Sequence, residues 1–264
     1  MSSELVIVEH DIGTGIARIV LNRPQVLNAI DVAMARALAG AIEDVAGRAG
    51  VRAIVLAAEG RAFVAGGDIS AFGADPATSA EVVNAILDAI HPALLRLRAL
   101  DAPVIAAVKG VAAGAGLSLV LACDLVVAEE GTKFVIAYDG LGVSPDCGGT
   151  WLLPRKVGAA LAAEMMLLGR RLDAQEAKQA GIVNFVVPQG GLDAAVAELA
   201  GKVAAGPTRA FGHFRRLADA GFTAPLADQL EAERAAFLDC TATADFREGV
   251  AAFLGKRKAA FRGR

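Results

Sequence analysis

The sequence predicts an α/β fold that ends in a helical region, and three observations predict it. Short, continuous apolar runs such as "VRAIVLAA" (51–58) and "APVIAAVKG" (102–110) have the length and bounding turns of strands buried on both faces. Longer stretches with helical apolar spacing lie between such runs, "VAMARALAGAIEDVA" (32–46) being the plainest. Beyond Pro154 helical periods dominate, and only "IVNFVVP" (182–188) interrupts them as a strand. The expected organisation is an α/β portion over residues 1–190 and a helical region over 191–264. A short all-helical region buries little by itself, so it is expected to pack on the core or on a neighbouring subunit.

Each element follows in order. "LVIVEHDIGTGIARIVLN" (5–22) reads as two strands joined by a Gly-rich turn. Asn28 or Asp31 can cap the helix that follows. The strand over 51–58 runs into the loop "EGRAFVAGGDISAF" (59–72). Thr78 and Glu81 have capping-box spacing and are expected to open a helix reaching about Leu100. After the strand at 102–110, "VAAGAGLSLVLAC" (111–123) passes through a Gly-rich turn into a short apolar helix. "DLVVAEE" (124–130) and "TKFVIA" (132–137) are strand-like. Helices are expected over "GAALAAEMMLLG" (158–169) and "AQEAKQAG" (174–181), the second capped by Asp173 and stopped by Gly181. The ββα pattern recurs loosely, without a strict sequence repeat.

Composition removes several function classes. Hydrophobic residues make up 55% of the 264, enough for a substantial core, which argues against disorder. A net charge of −3 carries no basic footprint for nucleic acid, although the C-terminus "GKRKAAFRGR" is locally basic. Cys123, Cys147 and Cys240 form no CxxC pair, so neither a disulfide framework nor a zinc site is expected. "MSSELVIVEH" has no basic leader region, and the uncharged stretch from Gly110 to Cys123 is too short to span a bilayer. A soluble cytoplasmic protein, with no metal and no membrane partner, is the expectation. His10, His91 and His213 are scattered and read as structural. Ser118 lacks the second glycine of a nucleophile elbow, Gly114-Ala115-Gly116 lacks the third glycine of a dinucleotide fingerprint, and there is no P-loop.

Two glycine-rich turns remain, "FVAGGDIS" (63–70) and "KGVAAGAGLS" (109–118), each following a buried strand where open α/β sheets build sites. Small residues let a ligand approach the backbone and leave N–H groups free. One N–H from each loop can hold a carbonyl oxygen as it gains negative charge, helped by the positive end of a helix starting near Ala115. Glycines also mark ordinary tight turns, so one loop alone carries little. The third feature is Asp146, in "AYDGLGVSPDCGGTWLLPR" (137–155), set in a largely apolar run just before Gly148-Gly149. It reads either as a catalytic acid or as a helix-capping aspartate. Cys147 has no histidine placed to activate it.

Together "IVLNRPQVLNAI", "FVAGGDISAF", "KGVAAGAGLSLVLACDL", "LGVSPDCGGTWLLPRKVG" and "REGVAAFLGKRKAAF" resemble the enoyl-CoA hydratase/isomerase superfamily, the crotonases, from about residue 5 to the C-terminus. The resemblance implies a spiral of ββα turns with C-terminal helices used for trimerisation, as a homotrimer or a dimer of trimers. It implies an acyl-CoA thioester substrate and no prosthetic group, coenzyme A entering only as part of that substrate. The family's oxyanion-hole positions match Gly67 and Ala115. Arg23, Val26 and Leu27 fall where the first loop lines the CoA site, and Ala65, Asp68 and Ile69 where adenine and pantetheine are cradled. Ala113 and Gly114, just before the second donor, are likewise expected to contact CoA. Phe253 and Lys256 match positions that approach CoA from the same or an adjacent subunit. The acyl pocket is expected to involve Phe72, Ser118, Tyr138, Leu141, Val143, Pro145 and Gly149.

The chain departs from the hydratase pattern. Alignment puts Ser118 at the first hydratase glutamate and Tyr138 at the second. Asp146 matches the lone acid of isomerase branches, and its segment is similar to the ring-epoxide isomerases of phenylacetyl-CoA degradation. One carboxylate suits that chemistry: it can remove a proton at one carbon and return it two bonds away, while hydration calls for two acids. Apolar walls such as Val143, Phe72 and Leu141 would strengthen it as a base. The sequence therefore reads as an acyl-CoA isomerase with Asp146 as acid/base. A hydratase, an Asp146 nucleophile as in dehalogenating relatives, and a non-catalytic acyl-CoA-binding protein stand as alternatives. Tyr138 is expected to line the pocket rather than act, and Ser118 to fill space.

Overall fold

A computed structural model describes residues 4–72 and 75–264. Strand β1 (Val6–Asp11) pairs antiparallel with β2 (Ile16–Leu21). Helix α1 (Val32–Gly47) crosses over to β3 (Ala53–Ala58), which lies parallel to β2. A single turn, α2 (Ile69–Phe72), and the long α3 (Pro76–Ala99) lead to β4 (Val104–Val108), parallel to β3. The pattern then tightens. β5 (Val111–Ala113) and α4 (Ala115–Leu121) precede β6 (Leu125–Glu129), and β7 (Lys133–Val135) follows. After α5 (Gly149–Val157) and α6 (Ala159–Leu167) come β8 (Leu172–Asp173), α7 (Ala174–Gln179) and β9 (Phe185–Val187). Helices α8 (Leu192–Ala204), α9 (Thr208–Gly221), α10 (Leu226–Thr241) and α11 (Ala244–Leu254) complete the chain.

The strands make two sheets. The larger has the order β1-β2-β3-β4-β6-β9 and is parallel from β2 onward; the smaller has the order β5-β7-β8. Twice the chain leaves the larger sheet and enters the smaller within a few residues, from β4 to β5 and from β6 to β7. This is the ββα spiral of the crotonase fold. No helix among the described residues is long and apolar enough to cross a membrane.

Period-two geometry explains the continuous apolar runs. Ile54, Leu56 and Ala58 face the main core with Val104, Ala106 and Val108. Val55, Ala57, Ile105, Ala107 and Val127 face the opposite side. That second face is closed by Leu192, Val196 and Ala200, spaced four apart along α8. Burying Val196 alone stabilises the layer by about 2 kcal/mol. The first helix of the C-terminal region thus packs on the sheet of the α/β portion.

Local chemistry sets the helix starts. Asp31, not Asn28, caps α1, accepting the Met34 N–H at 2.8 Å. Asn28 is buried with φ 56; its side chain accepts from Arg23 N–H at 2.7 Å and donates to the Glu59 and Ala62 carbonyls. Helix α3 opens at Asp75, whose carboxylate accepts both the Thr78 N–H and its hydroxyl at 2.9 Å, so Thr78 is the capped residue rather than the cap. Asp173 caps α7 in a full capping box with Glu176.

Candidate active site

The two glycine-rich loops are joined by backbone. A parallel bridge pairs Ile30 with Gly67, using the Gly66 carbonyl (2.8 Å) and the Asp68 N–H (2.9 Å). In that geometry the Gly67 N–H points away from its partner strand. A second parallel bridge pairs Val64 with Ala112 through Val64 N–H to Val111 and Ala113 N–H to Val64. Ala115 opens α4, where the amide has no partner inside the helix. Among the described residues neither the Gly67 nor the Ala115 amide donates a hydrogen bond to protein. Glycine permits the close approach. A Cβ at Gly116 would lie 2.6 Å from both Val64 Cβ and the Val64 carbonyl oxygen, and one at Gly114 would lie 3.6 Å from the Gly66 Cα.

These loops form one side of a cavity of about 920 Å³. Its floor and far side come from α3, where Val83, Ile86, Leu87 and Ile90 share one helical face. Residues 73 and 74, just before α3, lie outside the described residues. Ala65, Gly67, Ile69, Phe72, Gly114, Ala115, Tyr138, Leu141, Val143, Pro145 and Asp146 all line the cavity. Asp146 is the one carboxylate among the described lining residues, and there is no lysine, arginine or histidine.

Asp146 is held by its neighbours and does not cap α5, whose N-cap is Gly148 with no side-chain bond. The Asp146 carbonyl accepts from Gly149 N–H (2.9 Å) and from the Ser118 hydroxyl (3.2 Å). Its carboxylate accepts the Tyr138 O–H at 2.5 Å. Burial, then the Asp146 charge, pushes the Tyr138 phenol well above the ordinary tyrosine range. The same two causes, in that order, push the Cys147 thiol far up, so it stays a thiol and is no nucleophile.

Several expected site residues lie off the cavity wall. Ser118 is buried behind Asp146, and Gly149 packs on it, a Cβ there falling 3.0 Å from the Ser118 hydroxyl. Arg23 uses its guanidinium on Asp68 (2.8 Å), Asp31 (3.2 Å) and the Ala29 carbonyl (3.0 Å). Hydrogen bonds from Ser70, then Arg23, hold Asp68 below the usual carboxylate range. Leu27, at φ 55, accepts the Ala65 N–H, and Val26 is exposed beside it. Ala113 is buried in β5. Phe253 stands exposed on α11 beside a separate apolar hollow of about 400 Å³, and Lys256 follows that helix at φ 49. The described non-glycine residues at positive φ are Leu27, Asn28, Ala137, Cys147 and Lys256, and two of the five, Ala137 and Cys147, line the cavity. Sequence reasoning missed the Tyr138–Asp146 bond, and no spacing rule signals a contact across that loop. No group of three or more His, Cys, Asp or Glu among the described residues is placed to hold a metal ion.

A family model described as enoyl-CoA hydratase/isomerase matches residues 11–264. The chain belongs to that family. Among relatives, a Rhodobacter capsulatus protein named "probable enoyl-CoA hydratase" is 39% identical, covering 97% of this chain and 98% of its own. The Escherichia coli 1,2-epoxyphenylacetyl-CoA isomerase is also 39% identical, over 95% of this chain and 96% of its own. The crystal structure of an enoyl-CoA hydratase from Bacillus anthracis superposes with a TM-score of 0.90 at 32% identity, covering 98% of this chain and all of that one. The chain is therefore an enoyl-CoA hydratase/isomerase family enzyme whose relatives include both activities.

Proposed function

We propose that this family member is an acyl-CoA isomerase that moves a C=C bond, or rearranges a ring, in a CoA thioester. The observation that carries the reading is Asp146, the single carboxylate among the described lining residues, in a cavity also lined by Gly67 and Ala115, whose amides have no protein acceptor among the described residues. The thioester oxygen sits between the two amides and the acyl chain runs toward Asp146 along the α3 face. Asp146 takes a proton from the acyl chain, and charge moves to the thioester oxygen as a dienolate. Each amide stabilises that oxygen by about 3 kcal/mol. The same carboxyl group then returns the proton two carbons away. Val26 and Ile69, exposed at the first and second loops, flank the path for the CoA moiety. The exposed Phe246, Val250, Phe253 and Leu254 of α11 supply the apolar face for a homotrimer or a dimer of trimers.

The test follows a panel of 3-enoyl-CoA and arylacetyl-CoA thioesters in heavy water, recording which carbon exchanges and which ester isomerises. Asp146→Asn is expected to abolish exchange while CoA-ester affinity stays within about threefold. Exchange undiminished in that variant removes Asp146 as the base. The hydratase reading rests on the names of relatives; brisk hydration of crotonyl-CoA with no exchange at the γ-carbon of the 3-enoyl esters supports it instead.

A further inference from the structure

We propose that Tyr138 is a positioning residue that sets the spacing between the Asp146 carboxylate and the Ala115 donor loop. This inference rests on the isomerase reading above, and it identifies a part of that site which the single-acid scheme leaves unassigned.

Tyr138 bonds the acid and lies close to the donor loop. Its hydroxyl donates to Asp146 Oδ1 at 2.5 Å. The ring lies near the second glycine loop: a Cβ built at Gly114 would stand 3.9 Å from the ring Cζ. Gly114 is the residue before Ala115 and the N-cap of α4. One rigid, planar side chain therefore spans from the donor loop to the acid. The backbone holds the ring at its root. The Tyr138 carbonyl accepts from Leu141 N–H (3.1 Å) and Val143 N–H (3.3 Å), closing the short turn Asp139–Leu141. The residue before it, Ala137, has φ 59, a left-handed conformation that a non-glycine residue adopts at a cost. That turn in the chain aims the ring inward.

Without this bond the carboxylate has little to orient it. The Asp146 backbone is fixed through Ser118 and Gly149, but those contacts leave the χ angles open. Cys147 offers only a weak S–H donor. A phenol at this place fits the task because burial and the adjacent carboxylate keep it protonated, so it stays a donor throughout the working pH range. Binding Oδ1 leaves Oδ2 for the substrate. A misplacement of about 1 Å between base and oxyanion donors costs about a hundredfold in rate.

The chain contains a single tyrosine, so one label reads this residue alone. With tyrosine labelled with carbon-13 at Cζ, the wild-type protein is expected to give one resonance, and Asp146→Asn to shift it; Tyr138→Phe removes it and confirms the assignment. In kinetics on trans-3-hexenoyl-CoA, or on whichever panel thioester exchanges fastest with wild type, Tyr138→Phe is expected to lower kcat about a hundredfold with KM changed less than threefold. Added to Asp146→Asn it should cost nothing further. A resonance that does not move in Asp146→Asn, or a kcat unchanged in Tyr138→Phe, overturns the proposal. If Asp146→Asn keeps full activity while its resonance shifts, the isomerase reading fails, and with it the positioning role, although the contact is real. If Asp146→Asn is dead and Tyr138→Phe is fully active, only the positioning role fails.

Discussion

The two sides of the cavity are built on opposite terms. On the donor side the proposed functional groups are main-chain amides, placed by two β-bridges and by Gly116, which lets Val64 approach α4. Side-chain identity matters there mainly for size. On the acid side the functional atoms belong to side chains, held by single hydrogen bonds on a loop with left-handed residues at Ala137 and Cys147. The difference teaches where each wall is vulnerable. The donor wall fails through the backbone, by a lost N–H or an added Cβ. The acid wall fails through the loss of one oxygen.

The largest effect should come from the acid wall. Asp146→Asn keeps the shape and removes the proposed base, so kcat should fall by at least about a thousandfold, with heavy-water exchange lost alongside isomerisation. Ala115→Pro tests the donor wall by removing one N–H at the first position of α4, where proline is tolerated. It should lower kcat about a hundredfold while the far-ultraviolet circular dichroism stays unchanged. Equal activity would mean that the Ala115 amide meets no developing charge. Gly116→Ala probes the seam beneath it. The new Cβ meets the Val64 backbone oxygen at 2.6 Å, so the domain should lose about 2 kcal/mol in urea unfolding. The smallest effect is electrostatic. The Asp68 carboxyl titrates lower in the folded chain than unfolded, so its contribution is present above the unfolded value, near pH 4, and is lost as pH falls through the folded one. In urea unfolding, wild type should be more stable than Arg23→Gln above about pH 4, and the gap should narrow as pH falls below it.

Much of the fold was legible because burial on both faces writes itself into the chain as unbroken apolar runs, as in Ala53–Ala58 and Val104–Val108. The capping of α7 by Asp173 was legible for a local reason, since donor and acceptor lie within three residues. Thr78 misled because Asp75, three residues upstream, competes for the same cap, and its carboxylate is a stronger acceptor for the Thr78 N–H. At the site, Asp146 and the two glycine loops were recognisable by residue type. Arg23 was not, in its structural part: its partner Asp68 is far away along the chain, and no spacing rule reports an ion pair closed by a crossover. Tyr138 reads from sequence as a pocket wall, and only the fold of the 138–146 loop turns its hydroxyl onto Asp146.

By itself the sequence determined the alternation of buried strands and amphipathic helices, the family, and an acid, Asp146, set in an apolar run before Gly148-Gly149. Those are properties of residue type and short-range period, which the chain carries whatever its neighbours do. The tertiary structure alone decided that Gly67 and Ala115, whose amides have no protein acceptor among the described residues, line one cavity with Asp146, and that the Tyr138 phenol bonds that acid. Such facts depend on contacts between segments brought together only when the two sheets close, so no local pattern encodes them.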